Sequence, residues 1–435
     1  MEDLKNPFVK ANWQSLKSFL ENINCLYDSF EYSENTLRSQ KIEAQKEYNA
    51  FIKPYLVKGG NDSVKFRIPA DKEKQFQHVE RKLSRSQESS RLLMRSYIVS
   101  MVSQFDAFIA SLLRNIYAIN PDKLKQSEHK LTFAELQQFS SIEAAREFVI
   151  DSQIENILRD SHQEQFKELA SSIGVETLKK FDNWANFVEI TQRRNLFVHS
   201  NGVVSNQYLT ICKNEGVEIG ELKKGDQLDV DRPYFIKAFN IFYEVAVKLS
   251  QMSLRVLLYK KDKSCLGEVD KCMITNIYDL IFEERYDIAI ELSNFALDPK
   301  LKFEHSNKDR IYLALNRAQA YKWKGDEVKC RALLDEEDTS AWSSELKCPK
   351  YALEDKIDKV CETMLSIGKN GEILKSEQYR NWPIFKGVRA EYKFRETFKS
   401  VFGEDLEPES VETPGTKNIK SSPKRVRVAK VIIEK

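Results

Sequence analysis

The chain has 435 residues, enough for two or three domains of ordinary size. Hydrophobic residues make up 41% and charged residues 31% of the chain, with only 14 Gly and 11 Pro, which favours an all-α fold over a β-sandwich or barrel. The 68 basic and 66 acidic residues give a formal net charge of +2, which excludes a global field that would attract nucleic acid or an anionic membrane.

The N-terminal region, residues 1–90, is predicted to be helical with one short hairpin. Apolar residues recur near one face of residues 9–50, which predicts one or two amphipathic helices. Apolar and polar residues then alternate on both sides of Gly59-Gly60, which is typical of a short β-hairpin. The first residues lack a basic segment followed by an apolar run, and no window reaches the ~20 apolar residues of a membrane span, so we expect a cytoplasmic protein.

The next 80 residues carry clear helix boundaries. Neither Pro nor Gly occurs between residue 70 and residue 119, which predicts one very long helix or two joined helices that end before Pro121. Thr132 with Glu135, and Ser140 with Glu143, match the capping box, in which a hydroxyl and a carboxylate satisfy the first N–H groups of a helix. Two further short helices are therefore expected to begin there.

The stretch EITQRRNLFVHSNGVV, residues 189–204, places polar residues in an apolar helix that Gly202 should end. At 100° per residue, Asn195 and His199 share the apolar stripe of this helix, and Arg194 lies on its shoulder. Burial of Asn and His without partners costs about 1 to 3 kcal/mol each, so we expect a partner surface to satisfy them. A satisfied core or rim histidine beside a surface arginine is the alternative interpretation.

Other chemistries find little support in the residue pattern. The seven cysteines are scattered, with no C-x-x-C and no His at ligand spacing, which argues against a zinc site. No Ser/His/Asp order, Gly-rich phosphate loop or carboxylate cluster at metal spacing stands out. We therefore expect neither a metal nor a cofactor.

A long helix is predicted from Pro233, and the charged run at 260–268 is a plausible domain boundary. Beyond it, two stretches, IYDLIFEERYDIAIELSNFALDP and RIYLALNRAQAYKWKGDEVKCRALLDEE, align as two copies of a helix-turn-helix unit whose turns are 41 residues apart. Small residues at Ala289 and Ala332 are expected to let the paired helices approach closely. These copies resemble tetratricopeptide repeats, which use about 34 residues, and two ordinary helical hairpins are the alternative. Further helices are predicted near 351–367 and 384–402, within a repeat domain at 266–403, and the basic tail 404–435 is expected to be disordered.

The stretch RRNLFVHSNG at a helix end resembles the R-x(4–6)-H signature of the HEPN superfamily. The segments YIVSMVSQFDAFIASLLRNIYAINPDKL before it and YLTICKNEGVEIGELKKGDQLDVDRPYFIKAFNIFYEVAVKLSQ after it extend the resemblance to residues 91–262. Within this superfamily, the stretch resembles prokaryotic, defence-associated members. The resemblance implies a helical bundle that dimerises with its two motifs facing each other, and commonly a metal-independent endoribonuclease without a cofactor that leaves a cyclic phosphate.

Under this resemblance His199 would transfer a proton, Arg194 would bind the charged phosphate, and Asn195 would orient the imidazole or bind phosphate. A homodimer would supply the second His that one pass of acid and base catalysis needs. The predicted function is RNA cleavage by a toxin or antiphage defence effector, with a protein partner or antitoxin on the repeats. The competing hypothesis is a non-catalytic dimeric adaptor that binds a protein through its repeats.

Overall fold

The computed structural model describes residues 4–57, 65–122, 131–173, 181–259, 261–301, 303 and 305–406. Within these ranges the chain forms sixteen α-helices and one two-stranded antiparallel ladder. The protein is 78% helical, which confirms the predicted all-α class with a helical bundle and a repeat-like region. The predicted basic tail lies outside the described residues from position 407 onward.

The elements follow one another in this order: α1 Pro7–Ile52, β1 Leu56–Val57, β2 Lys65–Phe66, α2 Glu73–Ile119, α3 Phe133–Leu136, α4 Ile142–Arg159, α5 His162–Ile173, α6 Trp184–His199, α7 Asn206–Asn214, α8 Arg232–Tyr259, α9 Leu266–Phe282, α10 Tyr286–Ala296, α11 Asn307–Lys324, α12 Glu327–Asp335, α13 Ser344–Leu353, α14 Ile357–Ile367, α15 Ser376–Asn381 and α16 Tyr392–Phe402.

The chain divides into two compact units, each assembled from separate segments. Unit 1 comprises Met1–Ser18, Phe108–Lys180 and Phe242–Glu412, and unit 2 comprises Phe19–Ala107, Phe181–Ile241 and Thr413–Lys435. These limits fall inside α1, α2 and α8, so residues 91–262 contribute to both units. The domain boundaries expected near residues 90, 262 and 403 stay predictions.

Two long antiparallel helices begin unit 2. The ring of Phe30 on α1 lies 5.5 Å from Tyr97 on α2, whereas Tyr48 lies 6.2 Å from Phe76, so the helices run in opposite directions. The predicted hairpin is confirmed at their connection, where Leu56 pairs with Phe66. Its expected turn, residues 58–62, lies outside the described residues.

Helix α2 combines an exposed polar N-terminal part with an apolar C-terminal part. Together with the turn Ala70–Lys72 before it, α2 is the only described helix that is long and apolar enough to cross a membrane, judged by length and composition alone. Of its most apolar 18-residue window, 44% is buried inside the protein. Core helices of soluble proteins meet the same criterion, and Ile98, Met101 and Val102 are fully buried here. The cytoplasmic location stays a prediction.

The two capping boxes have different outcomes in unit 1. Thr132 and Glu135 form the predicted box before α3, because each side chain accepts a hydrogen bond from the other's backbone N–H. Before α4 the cap is Ser141 and not Ser140, since the Ser141 hydroxyl accepts from the N–H of Ala144 at 3.1 Å. Adjacent serines carry the same hydroxyl, so the pattern alone misplaced this helix start by one residue.

Three helix pairs in unit 1 share one turn geometry. The pairs are α9 with α10, α11 with α12, and α13 with α14, and their packing forms the repeat-like region. Glu284, Gly325 and Asp355 occupy the turns with φ of 59°, 97° and 57°. In each case the second helix begins two residues later. The three turns are therefore equivalent positions of a repeated unit.

The backbone hydrogen bonds of these turns are equivalent as well. In each turn the residue after the left-handed position donates its N–H to the carbonyl five residues earlier, which closes the first helix of the pair. The three bonds run from Arg285 to Leu280 at 2.8 Å, from Asp326 to Tyr321 at 2.9 Å and from Lys356 to Tyr351 at 3.0 Å.

The repeat prediction is confirmed for the first two turns and incomplete beyond them. Glu284 and Gly325 are 41 residues apart, as the alignment predicted. The single helix predicted at 351–367 is wrong, because a turn at Asp355 divides it into α13 and α14. Aspartate tolerates the left-handed conformation, so no Gly or Pro marked this turn in the sequence. The helix predicted at 384–402 is likewise shorter, since α16 begins only at residue 392.

A small or slender residue is buried at the same place in the second helix of the first two pairs. Ala289 is fully buried, and Cys330 occupies the equivalent place in α12 at 1% exposure. Ala332 is exposed, so its expected role in helix packing is wrong. The 41-residue spacing of the two copies predicted the repeat. Which residue of α12 faces the partner helix depends on how α12 is rotated about its axis.

We predict that Asp355→Ala lowers the free energy of unfolding of unit 1 by about 2 kcal/mol. Asp355 accepts from the Lys322 ammonium at 2.6 Å, and that lysine side chain is only 7% exposed, so the substitution leaves a buried cation without its carboxylate. Alanine also tolerates the left-handed turn poorly. Urea unfolding followed by circular dichroism measures the change. Asp358→Ala is the control, because its ion pair with Lys393 is exposed and should contribute under about 1 kcal/mol.

Candidate functional site

Helix α6 carries the predicted site and lies in unit 2. It runs from Trp184 to His199, close to the predicted limits. Phe187 is fully buried and its ring contacts Phe105 of α2 at 5.4 Å, which holds the first turns of α6 in the core. Val198 is 50% exposed, and His199 is exposed as well. The last turn of α6 therefore emerges from the core of unit 2.

The first of the two adjacent arginines is part of the core. Arg193 donates from Nε to Oε1 of Glu189 at 2.7 Å and from Nη1 to the carbonyl of Asp229 at 3.2 Å. Its guanidinium lies 3.9 Å from the ring centre of Tyr234, a cation–π contact. With side-chain exposures of 16% for Arg193 and 11% for Glu189, this ion pair is largely removed from water.

Two tyrosines complete the hydrogen bonding of Glu189. The hydroxyl of Tyr208 on α7 donates to Oε1 at 2.7 Å, and that of Tyr234 on α8 donates to Oε2 at 2.9 Å. Burial, and then the charge of Glu189, raise the pKa of both tyrosines well above the usual value, so they remain neutral donors. The same causes raise the pKa of the Cys212 thiol to about 11. Glu189 and Arg193 thus join three helices through one buried polar network.

Arg194 points to a different neighbour. It donates from Nη2 to Oδ2 of Asp106 on α2 at 3.2 Å and from Nη1 to Oδ1 of Asn195 at 3.0 Å. The side chains of Arg194 and Asp106 are each 25% exposed, so the pair remains open to solvent on one side. The Nε atom of Arg194 is buried and has no hydrogen-bond partner. The structure therefore brings Arg194, Asn195 and Asp106 together.

His199 lies one turn after Asn195, at the C-terminal end of α6. It is exposed, and within the described part of the chain its ring has no hydrogen-bond partner. Burial of His199 on an apolar stripe was expected, and within a single chain this is wrong. In the last turn of α6 only Leu196 is buried, in a cluster with Val204 and Tyr208, whereas Val198 and His199 are exposed. The expected contact with a second chain at this place stays a prediction.

The turn after α6 follows the predicted stop. Gly202 has φ of +78° and donates its N–H to the carbonyl of Leu196 at 2.9 Å, which confirms it as the residue that ends the helix. Its missing side chain also allows close approach, since a Cβ would lie 2.9 Å from the carbonyl oxygen of Leu228 and 3.0 Å from Cζ of Arg95. Only glycine fits this position.

Arg95 of α2 fixes this turn from the other side. The side chain is 4% exposed and donates to the carbonyl of Asn201 at 2.9 Å and to that of Leu228 at 2.7 Å. It also donates to Oδ1 of Asp229 at 2.6 Å. One buried guanidinium therefore joins α2 to two loop segments that follow α6, one at Asn201 and one at Leu228 and Asp229.

Sequence reasoning missed Arg95 and Asp106. Both are charged residues inside the apolar part of α2, where a charge is costly unless it is paired. That pattern was a usable signal. It also missed α7, a nine-residue helix that begins after the cap Ser205 and supplies Tyr208. The surrounding glycines at 202, 216 and 220 made the whole segment resemble a loop.

Metal-ligand side chains do not cluster in the described part of the chain. No group of three or more His, Cys, Asp or Glu residues there is placed to hold a metal ion. All seven cysteines have free thiols, six of them buried and Cys25 exposed. The candidate chemistry is therefore that of Arg194, Asn195, His199 and Asp106 themselves.

Comparison with known proteins assigns no family to the chain. No family model matches its sequence, and neither curated proteins nor solved structures show significant similarity to it. The resemblance to HEPN domains consists of the motif and the order of helices around it.

We predict that Arg193→Ala lowers the free energy of unfolding by about 3 kcal/mol, because Glu189 would remain buried without a countercharge. Arg194→Ala is the matched control on the neighbouring residue. Its ion pair is partly exposed, so the loss should be about 1 kcal/mol or less. Urea denaturation followed by fluorescence measures both. Equal losses of unfolding free energy in the two variants would contradict a structural role for Arg193 that Arg194 does not share.

We predict that Gly202→Ala is more destabilising than Gly216→Ala by about 2 kcal/mol. Both glycines have φ near +77°, so both variants carry the cost of a left-handed alanine. Only Gly202 also has backbone and Arg95 atoms within 3.0 Å of the added Cβ, whereas Gly216 has nothing within 4 Å. The difference between the two unfolding free energies measures the packing cost alone, and no difference would show that Arg95 can move aside.

Proposed function

We propose that the chain is an HEPN-type endoribonuclease that cleaves RNA without a metal ion. The observation that supports this most is the different environment of two adjacent arginines. Arg193 belongs to a buried network, whereas Arg194 is partly exposed beside Asn195, five residues before an exposed His199. Arg193 already supplies the buried countercharge to Glu189, so Arg194 is available for a ligand.

Arg194 suits a phosphate because its planar guanidinium offers several donors in one plane and stays charged. Asp106 and Asn195 hold two of its nitrogens, which fixes the orientation of the group. The Oδ1 atom of Asn195 accepts from Arg194, which leaves the amide N–H groups of Asn195 to donate to a phosphate oxygen. Asp106 is thus a positioning residue for the cation.

His199 supplies proton transfer, since an imidazole can both accept and donate a proton. In the proposed reaction the 2′-oxygen attacks phosphorus and the bond from phosphorus to the 5′-oxygen breaks. One proton leaves the 2′-hydroxyl and one arrives at the 5′-oxygen, so the products are a 2′,3′-cyclic phosphate and a 5′-hydroxyl. A single imidazole holds one transferable proton, and two copies of His199 in a homodimer would divide the two tasks.

Apolar side chains near His199 support a contact with a second copy. Val198 is 50% exposed and Val203 37% exposed, on either side of the turn that ends α6. Apolar side chains exposed beside polar ones are typical of protein interfaces. A two-fold contact there would place the two motifs face to face.

We assign the three helix pairs of unit 1 to binding of a protein partner, such as an antitoxin in a toxin or antiphage defence system. Stacked antiparallel pairs present extended surfaces, and unit 1 holds none of the residues of the proposed cleavage site. This role is independent of the RNA chemistry.

A non-catalytic dimeric adaptor is the second candidate. The observation that favours it is the ion pair of Arg194 with Asp106, which neutralises the cation in the free protein. In that case the Arg194 contact would only join α6 to α2. The repeat-like pairs would then carry the main function as a protein-binding platform.

We predict that the purified protein cleaves RNA in EDTA and that His199→Ala lowers the rate at least about 100-fold, the usual effect of a lost acid or base. Ser200→Ala is the control, because it changes the next exposed residue and leaves the imidazole. Mass spectrometry of the product ends should show the cyclic phosphate. Absence of cleavage by the wild-type dimer would favour the adaptor, and full activity of His199→Ala would remove His199 from the site.

We predict that Arg194→Lys is also poorly active, because an ammonium cannot reproduce the planar contact. Asp106→Asn should lower activity less, since it removes only the group that orients Arg194. Mixing Arg194→Ala chains with His199→Ala chains tests sharing between protomers through partial recovery of activity. A monomer that is fully active at micromolar concentration would contradict the shared site.

A further inference from the structure

A row of basic side chains lines a groove at the beginning of α2, in unit 2. The groove has a volume of about 560 Å³ and no acidic residue in its lining, which consists of Lys74, Gln77, His78, Arg81, Lys82 and Arg85. All five basic side chains are exposed. We name these five residues the basic row.

The basic row occupies one face of the helix. At 100° and 1.5 Å per residue, its members lie within about 100° of one another and extend along about 16 Å of the helix axis. Like charges about one turn apart, such as Arg81 with Arg85 and Lys82 with Arg85, oppose helix formation. A bound anion would relieve this repulsion, which would account for the row of like charges on one face.

Acidic neighbours neutralise only one member of the row. Lys82 pairs with Glu47 of α1, which runs beside this part of α2. Lys74, Arg81 and Arg85 have no carboxylate partner within the described ranges of the chain. These three charges are therefore available to a ligand.

We propose that the basic row binds the phosphate backbone of the RNA substrate. A nucleic acid strand carries one charge per about 3.4 Å of duplex axis, so a row of about 16 Å spans roughly five phosphates. The inference takes RNA as the occupant from the proposed ribonuclease function. The charge pattern itself suits a linear polyanion.

The apolar residues in this part of α2 argue against a membrane surface. Phe76 and Val79 are buried and Leu83 is half-buried, so no exposed large apolar side chain between residues 73 and 85 is available to enter a lipid layer. The groove also lacks an exposed aromatic residue for base stacking. Contact would therefore be with phosphates, and it would not depend on base sequence.

The basic row and the candidate cleavage site lie along the same helix. Asp106, the partner of Arg194, follows Arg85 by 21 residues, or about 30 Å of helix. Its angular position is within about 20° of that of Arg81, so both face the same side of α2. An RNA strand stacked at about 3.4 Å per nucleotide covers this distance with about ten nucleotides. Shorter substrates would reach the cleavage site without contacting the basic row.

The test compares two triple variants of the full-length protein. Lys74→Gln with Arg81→Gln and Arg85→Gln removes the three unpaired charges of the row. Arg146→Gln with Lys271→Gln and Lys329→Gln is the matched control, because these residues of unit 1 are equally exposed and also have no ion pair. Circular dichroism verifies that both variants keep the helical fold.

Binding of a fluorescent 30-nucleotide RNA is measured in EDTA by anisotropy at several salt concentrations. We expect the row variant to bind at least tenfold more weakly and its salt dependence to fall by about two counterions, at about 0.7 per phosphate contact. The control variant should bind within twofold of wild type. Unchanged affinity and salt dependence in the row variant, or vesicles of anionic lipid bound in preference to RNA, would overturn the proposal.

Cleavage of 30-nucleotide and 6-nucleotide RNAs separates this inference from the proposed function. In the row variant we expect KM to rise for the long substrate and stay unchanged for the short one, with kcat near wild type for both. Equal KM values of wild type and row variant for the long RNA would refute RNA binding by the basic row. Cleavage would then still support the proposed ribonuclease activity. Loss of RNA binding in the row variant of a protein that does not cleave RNA would support the row and refute the ribonuclease.

Discussion

The candidate site depends on the buried ion pair of Glu189 with Arg193. Two tyrosines from α7 and α8 donate to the same carboxylate, so this pair fixes the rotation of α6 within unit 2. Each residue of an α-helix points about 100° away from the residue before it. Once Arg193 faces the core, Arg194 must face α2 and Asp106. His199 is exposed at the end of the same helix, while Leu196 one turn earlier is buried.

Helix α2 connects all the parts of unit 2 that bear on the proposed chemistry. Its basic row lies at the beginning, Arg95 holds the turn after His199, and Asp106 orients Arg194. Charges inside an apolar helix are costly, and Arg95 offsets that cost through several hydrogen bonds, whereas Asp106 pairs with Arg194. One helix thereby positions both ends of the candidate site and places a cationic surface in line with it.

Unit 1 is organised by repetition. Three helix pairs close through the same left-handed turn and the same backbone hydrogen bond, although Glu284 and Asp355 replace the glycine that such a turn favours. Asp355 offsets part of this cost because its carboxylate accepts from the buried Lys322. Side-chain contacts can therefore maintain such a turn where the sequence has no glycine.

The sequence by itself determined the all-α class, the short N-terminal hairpin, the stop at Gly202 and the 41-residue offset of the first repeats. Each of these follows from local periodicity or from the backbone preference of one residue type. Only the tertiary structure decided which arginine is buried, what orients Arg194, and that His199 is exposed. Those outcomes depend on partners far apart in sequence, 88 residues from Asp106 to Arg194 and 134 from Arg95 to Asp229, and no local pattern specifies such pairs.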